Sequence, residues 1–422
     1  MRTKLRRLGC GVATAVMLAA AAPAFADTTL RMVSWQVEDP AFGPWWRSVI
    51  AEFEKKHAGV KVEFTSVPRE SFADQMTTLF ASGSPPQIVH LASFEFQAFA
   101  DNGWLEPLDS YVKESGLDLN GWAGQSLCRW NDETVCLMML YFGGMMAYNE
   151  AMFEEAGIAV PTTYDEQIAA ARTLTRDKNG DGLVDQYGLG VATSGGAGQY
   201  LTQMLSYVID AGARWSNAEG EPTLDTPEMI EGLKRWKTVV GEKLTPLDQS
   251  EAAIRQSLIE GKIAMRVDGP WLWGVMQKAK PEVLQHLKVA VPPFQPPMGG
   301  SSNVLGIASE ISDEEKKLVW DFISIAASAE FQTTYAEVSG SPAPRPGAIP
   351  ADITEKVPHF DLLMKTMQEA SAAGIDRIPT GFEVQFNEFS KMIQEEAQRM
   401  LVENLDPADT AKRMQERALA MR

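Results

Sequence analysis

At 422 residues the chain exceeds what one compact core usually organises, so two lobes are expected. Its composition, 45% apolar and 22% charged, is that of a globular protein and excludes a disordered one. A formal charge of −18 argues against nucleic acid and anionic lipid as partners and favours an uncharged or cationic ligand.

Residues 1–26 read as a cleaved export signal. "MRTKLRR" is a basic start, "LGCGVATAVMLAAAA" an apolar stretch, and "AFA" before Asp27 a small-residue cleavage site. Cys10 stands too early for a lipoprotein cysteine, and Arg6-Arg7 lacks the surroundings of a twin-arginine signal. The segment carries four basic residues and no acid, so its removal takes the charge from −18 to −22. No later stretch offers the ~20 apolar residues of a membrane span. The mature chain is therefore expected to be soluble and periplasmic.

"TLRMVSW" is a short strand, and "GPWWRSVIAEFEKKH" a helix with Trp46, Val49, Ile50 and Phe53 at helical spacing. "VKVEFTSVP" alternates as a strand. "SFADQMTTLFASG" is a helix closed by glycine, "PPQIVHLA" a buried strand, and "FEFQAFADNG" a helix. This alternation predicts an α/β lobe with a mostly parallel sheet. "LCRWNDETVC" holds Cys128 and Cys136 around a polar turn. Without CxxC spacing, and in an oxidising compartment, the pair is expected to be a disulfide closing a hairpin.

A second region opens near Tyr141 with the strand "GGMMAYN" and the helix "EAMFEEAG". The apolar run "LMMLYFGGMM" is read as core. "PTTYDEQIAAARTLT" is a helix in which Thr163 and Glu166 suit a capping box. Further helices ("PEMIEGLKRWKTVVGE", "SEAAIRQSLIEG") and strands ("YGLGVA", "KIAMRVDG", "LKVAVPPF", "NVLGIAS") follow, and long helices finish the chain. Irregular breaks fall near 138–145, 291–300 and 340–350. They predict two discontinuous α/β lobes joined by a hinge of several crossings. One lobe is 27–140 plus 296–345, the other 141–295 plus 346–422.

Several segments together carry a resemblance: "VSW" after the signal, "PPQIVHLASFEFQAFADNGWLEPLD", "MAYNEAMFEEAGIAVPTTYDE", "LIEGKIAMRVDGPWLW" and "VAVPPFQPPMGGSSNVLGIAS". In this order they resemble the extracellular sugar-binding proteins of bacterial ABC importers, the group of maltose- and trehalose-binding proteins. The resemblance implies a type II periplasmic-binding-protein fold with the ligand between the lobes. It also implies a monomer that delivers a sugar or oligosaccharide to membrane permease subunits and catalyses nothing.

Sugar sites combine aromatic platforms with planar polar groups. By resemblance, Trp271 in "DGPWLW" is the stacking platform, with Asp268 beside it, while Trp273 is read as core. Trp35 and Gln36 end the first strand, and His90, Ser93 and Glu95 lie around the end of another, where open α/β sheets take ligands. Tyr141, Gln199, Tyr200, Gly300, Ser301, Arg345 and Glu383 stand where the family often contacts its ligand. The rival from another class is a secreted carbohydrate-active enzyme, with Asp268 and Glu95 as its acid and base.

"DKNGDGLVDQYG" resembles a calcium loop. Asp177, Asn179, Asp181, the Leu183 carbonyl and Asp185 fall at ligand positions, with Gly182 at the turn. Position 12 is Gly188 where a switching loop has Glu, so the expectation is a structural calcium, with Gln186 as a further ligand. The alternative is a set of Asx turns. A surface-docking role would need the loop repeated, and it occurs once.

Overall fold

The computed structural model describes residues 28–40, 42–374 and 377–422; the expected export signal lies outside them. Eleven strands are described: β1 (Thr28–Ser34), β2 (Val60–Ser66), β3 (Ile88–Ala92), β4 (Arg129–Trp130), β5 (Glu133–Thr134), β6 (Leu137–Gly143), β7 (Met145–Asn149), β8 (Tyr187–Leu189), β9 (Ile263–Asp268), β10 (Leu287–Ala290) and β11 (Gly299–Ile307). Five form one sheet in the order β2-β1-β3-β11-β6. β1 is parallel to β2 and β3, while β11 is antiparallel to both its neighbours. Four form a second sheet, β10-β7-β9-β8, and β4-β5 is a separate hairpin.

Residue choice explains these layers. β3 is buried along its whole length, as expected of a strand covered on both faces. The helix Gly43–Lys56 starts on a proline and turns Trp45, Trp46, Val49 and Phe53 into the first core. In the helix Tyr164–Leu174, Thr163 caps the Glu166 amide. The Glu166 carboxylate reaches Thr162, not Thr163, with its backbone N–H at 2.8 Å. The complete capping box is found at Ser312 and Glu315, opening the helix Asp313–Ala326.

The first crossing runs between β6 and β7, at Gly143-Gly144. A side chain on Gly143 would strike the Leu363 carbonyl and the Thr366 hydroxyl of the helix Phe360–Ala372. Glycine is what lets that helix lie against the hinge. β11 carries the chain back into the first sheet. Ala348, Ile353, Val357 and Phe360 still pack in the first core, so the last passage to the second core comes later than the expected point at 345/346.

Cys128 and Cys136 are free thiols in the structure, both fully buried. The structure does not show the expected disulfide. Backbone pairing holds the hairpin between them, with the Val135 N–H on the Cys128 carbonyl at 3.0 Å. The two thiols meet side by side, and burial first, then this neighbour, pushes Cys136 well above an ordinary thiol.

Candidate functional site

β1, β2 and β3 end at Ser34, Ser66 and Ala92, and β11 reaches the same edge because Asn303 lies opposite Ala92. A cavity of about 410 Å³ opens there. Trp35, Gln36, Arg69, Phe94, Ser302 and Asn303 line it on one side. Gln199, Thr202, Glu251, Arg255 and Trp271 line it from the elements of the second sheet. The cavity is therefore a cleft between the two lobes, where α/β proteins of this kind take ligands.

Trp271 is placed by a tight turn. The Trp271 Nε1–H donates to the Asp268 carboxylate at 2.7 Å. A Cβ on Gly269 would run into the indole ring, so glycine lets the ring fold back over the turn. Arg255 bonds the same carboxylate through Nε at 2.9 Å, and Arg266 through Nε at 2.7 Å. Burial alone would raise the Asp268 carboxyl; the charges of Arg255 and Arg266 outweigh it and hold the group well below the usual carboxylate range. Arg255 also meets Glu251 at 2.9 Å.

On the other wall, Trp35 stacks on His90, with centroids 4.4 Å apart and planes 16° apart. The Arg69 guanidinium lies 4.8 Å from the Trp35 ring and pairs with Glu95 at 2.8 Å. His90 is fully buried and shares a 2.8 Å hydrogen bond with Ser34. Burial, then the nearby charge of Arg69, lowers its pKa to about 3, so it backs the tryptophan as a neutral ring. Arg377 also lines the cleft, 5.7 Å from the Phe94 ring and 5.0 Å from Phe142. The cleft thus offers aromatic surface and paired ions. Its lining contains neither histidine nor cysteine.

The chain matches the family of bacterial extracellular solute-binding proteins over residues 39–333. It belongs to that family. Among curated relatives, this solute-binding protein is 21% identical over 333 residues to the diacetylchitobiose-binding protein DasA of Streptomyces coelicolor, covering 76% of this chain and 74% of that one. Two solved structures share its two-lobed periplasmic-binding-protein fold. One is an ABC transporter solute-binding protein of Thermotoga lettingae bound with α-D-tagatose, with TM-score 0.77, 23% identity, and 93% and 98% of the two chains covered. The other is a Listeria monocytogenes protein in complex with cycloalternan, with TM-score 0.79, 20% identity and coverage of 94% and 99%.

The expected ligand residues of this solute-binding protein fall into four groups. Trp35, Gln36, Gln199 and Trp271 line the cleft. Glu95 lines a neighbouring cavity of about 660 Å³, which shares Arg69, Glu70, Phe94 and Gln199 with the first. Tyr141 and Gly300 line a third cavity, of about 580 Å³, that shares no wall with the cleft. The rest lie elsewhere. His90 sits behind Trp35. The Ser93 amide bonds the Ser302 carbonyl at 2.7 Å, and its side chain is buried. Tyr200 accepts from Trp236 Nε1 at 3.1 Å inside the second core, one helix position round from Gln199. Asp268 is buried beneath the cleft wall. Arg345 bonds the Ala327 carbonyl at 2.6 Å beside Trp122. Glu383 and the β11 backbone at Ser301 stand outside the cleft lining. Asp268 and Glu95, cast above as a catalytic pair, are each committed to arginine. Trp273, read as core, lies on the short helix Leu272–Met276, where it is partly buried and meets His359 at 4.6 Å.

Sequence reasoning missed Arg69, Phe94, Thr202, Glu251, Arg255, Asn303 and Arg377, and it pointed to Ser302 through the "GGSSN" crossing. Arg69 had a signal, since it follows Pro68 just past the end of β2. The others become neighbours only through the lobe packing.

The loop at Asp177 is exposed and caps itself. Asp177 accepts from the Gly180 and Gly182 amides, both at 2.7 Å, and Asp185 from Lys178 at 2.8 Å. The amides, that of Gly182 first, lower the Asp177 pKa. Gln186 turns inward, donating to the Leu174 carbonyl at 2.8 Å, and its Oε1 has no hydrogen-bond partner. Among the described residues, no group of three or more His, Cys, Asp or Glu side chains stands together as metal ligands.

Proposed function

We propose that the protein captures a sugar or short oligosaccharide in the interlobe cleft and hands it to the permease of an ABC importer. The observation that carries this reading is the presence of Trp35 and Trp271 in the wall of one cavity in which Arg69 and Arg255 are matched by carboxylates. Rings present C–H faces to such platforms and hydroxyls to such planar groups. The sugars named with DasA and the two solved structures support it. Mass spectrometry of ligand released from gently purified protein, then calorimetry, tests it. Trp271→Ala should weaken sugar binding about ten- to hundredfold with the fold intact. Unchanged affinity in that variant, or release of a non-sugar solute, overturns the reading.

The same reading makes the protein a periplasmic monomer, cut before Asp27. Family membership and the sequence of residues 1–26 support export, and no described helix is long and apolar enough to cross a membrane. In that compartment Cys128 and Cys136 join as a disulfide; a disulfide oxidoreductase takes the two electrons, and two protons are released. The touching thiols support this. Calcium at the Asp177–Gln186 loop is a separate proposal. It is supported by ligand spacing and by the unpartnered Gln186 Oε1.

A further inference from the structure

Asp268 sits immediately below the cleft wall. It is 4% exposed, and it does not line the cavity that Trp271 and Arg255 line. Its Oδ1 accepts from the Gly269 amide at 2.8 Å, Trp271 Nε1 at 2.7 Å and Arg255 Nη2 at 3.1 Å. Its Oδ2 accepts from Arg255 Nε at 2.9 Å and Arg266 Nε at 2.7 Å. A carboxylate has about four lone-pair sites, and five donors already surround this one. It has no acceptor capacity left for a ligand hydroxyl.

The donors do not share one fate. Arg266 is fully buried and runs on to the Gly190 carbonyl at 2.9 Å, so it anchors the carboxylate to the second sheet. Trp271 and Arg255 face the ligand. Without it the indole would be left with its ring contacts, Phe142 at 5.0 Å and the turn at Gly269, and the guanidinium with Glu251 and the charge of Asp39. One carboxylate therefore fixes a stacking surface and a hydrogen-bonding fork relative to each other.

Resting on the sugar reading above, we propose that Asp268 is a positioning residue. It binds no ligand itself, but locks Trp271 and Arg255 into one preorganised recognition unit anchored on Arg266. Preorganisation raises affinity by removing the ordering cost from the binding step. Charge-assisted hydrogen bonds are the kind strong enough to do so.

The test has a ligand-free arm and a binding arm. In ¹⁵N-tryptophan-labelled protein, Trp271→Phe assigns the Trp271 indole signal. Its N–H should exchange slowly in the wild type and rapidly in Asp268→Asn, while the other indole signals keep their positions. An indole proton that exchanges as fast as an exposed one in the wild type overturns the proposal, whether or not Asp268→Asn folds. In the binding arm, calorimetry with maltose and diacetylchitobiose follows Asp268→Asn, Trp271→Phe and the double variant. Asp268→Asn should weaken binding roughly ten- to hundredfold, and should cost far less once Trp271 is already Phe. Additive losses overturn the positioning role. If the wild type binds neither sugar, the sugar reading suffers and indole exchange still decides the position of Asp268.

Discussion

Gly196 is where closure of the cleft can be blocked without touching its inner wall. It lies just before the helix Ala197–Asp210, outside the lining of the 410 Å³ cavity. Its backbone, at φ −62° and ψ 147°, suits any residue. Space is what restricts it. A Cβ there would stand 3.1 Å from the Glu70 carbonyl and 3.7 Å from the Glu70 Cα, at the start of the opposing helix Arg69–Ala81. Alanine would be tight, and Gly196→Val adds two methyl groups beside the same Glu70 backbone. Overpacking of this kind costs about 1–3 kcal/mol. The contact with Glu70 disappears when the lobes part, and the Gln199 Oε1, 3.4 Å from such a Cβ, is the end of a side chain that can move aside, so the cost falls mainly on the closed state. With about 2 kcal/mol set against closure, the Kd for the sugar rises about 30-fold. The melting temperature of the unliganded protein should stay near the wild-type value. Calorimetry reads the affinity, and small-angle scattering with ligand reads the lobe separation. Unchanged affinity together with a wild-type scattering curve would refute the reasoning.

Three further outcomes are expected. The buried His90 stays neutral down to about pH 3 against an ordinary 6.5. The unfolded chain therefore binds a proton in that window that the folded chain refuses, and stability falls as pH drops through it. His90→Gln should flatten the acid side of a melting-temperature profile between pH 6.5 and about 3; an unchanged slope would contradict this. Calcium should raise the wild-type melting temperature, and Asp181→Ala should abolish the rise; no rise in the wild type ends the ion proposal. Protein isolated from the periplasm should be lighter by two hydrogens than its reduced form, and Cys136→Ser should remove that difference. Alkylation of both cysteines in the unreduced, unfolded protein would disprove the bond.

The architecture was legible because each strand and helix carries its own period. β3 reads as a buried strand and the Thr163 helix as a capped one without reference to the rest of the chain. The site was legible only where the backbone itself makes a recognisable turn. "DGPW" announces Trp271 because Asp268, Gly269 and Trp271 interact within four residues. Position near a strand end was too coarse a guide. It favoured His90, which supports Trp35 from behind, over Arg69, which covers that ring from another helix. Gln199 and Tyr200 differ by one helix position, about 100° of rotation, which sends one to the cleft and the other to Trp236. Arg255 and Asp268 lie 13 residues apart, and only the packing of the helix Glu251–Ile259 on β9 brings them together.

Arg69 and Arg255 enter the cleft already neutralised by Glu95, Glu251 and Asp268. These pairs are largely buried, and salt screens buried pairs far less than exposed ones. A receptor exposed to whatever ionic strength its surroundings impose gains from this arrangement. On the sugar reading proposed above, its grip on an uncharged solute is insulated from changes in external salt, so uptake would track the concentration of nutrient and not the salinity of the medium.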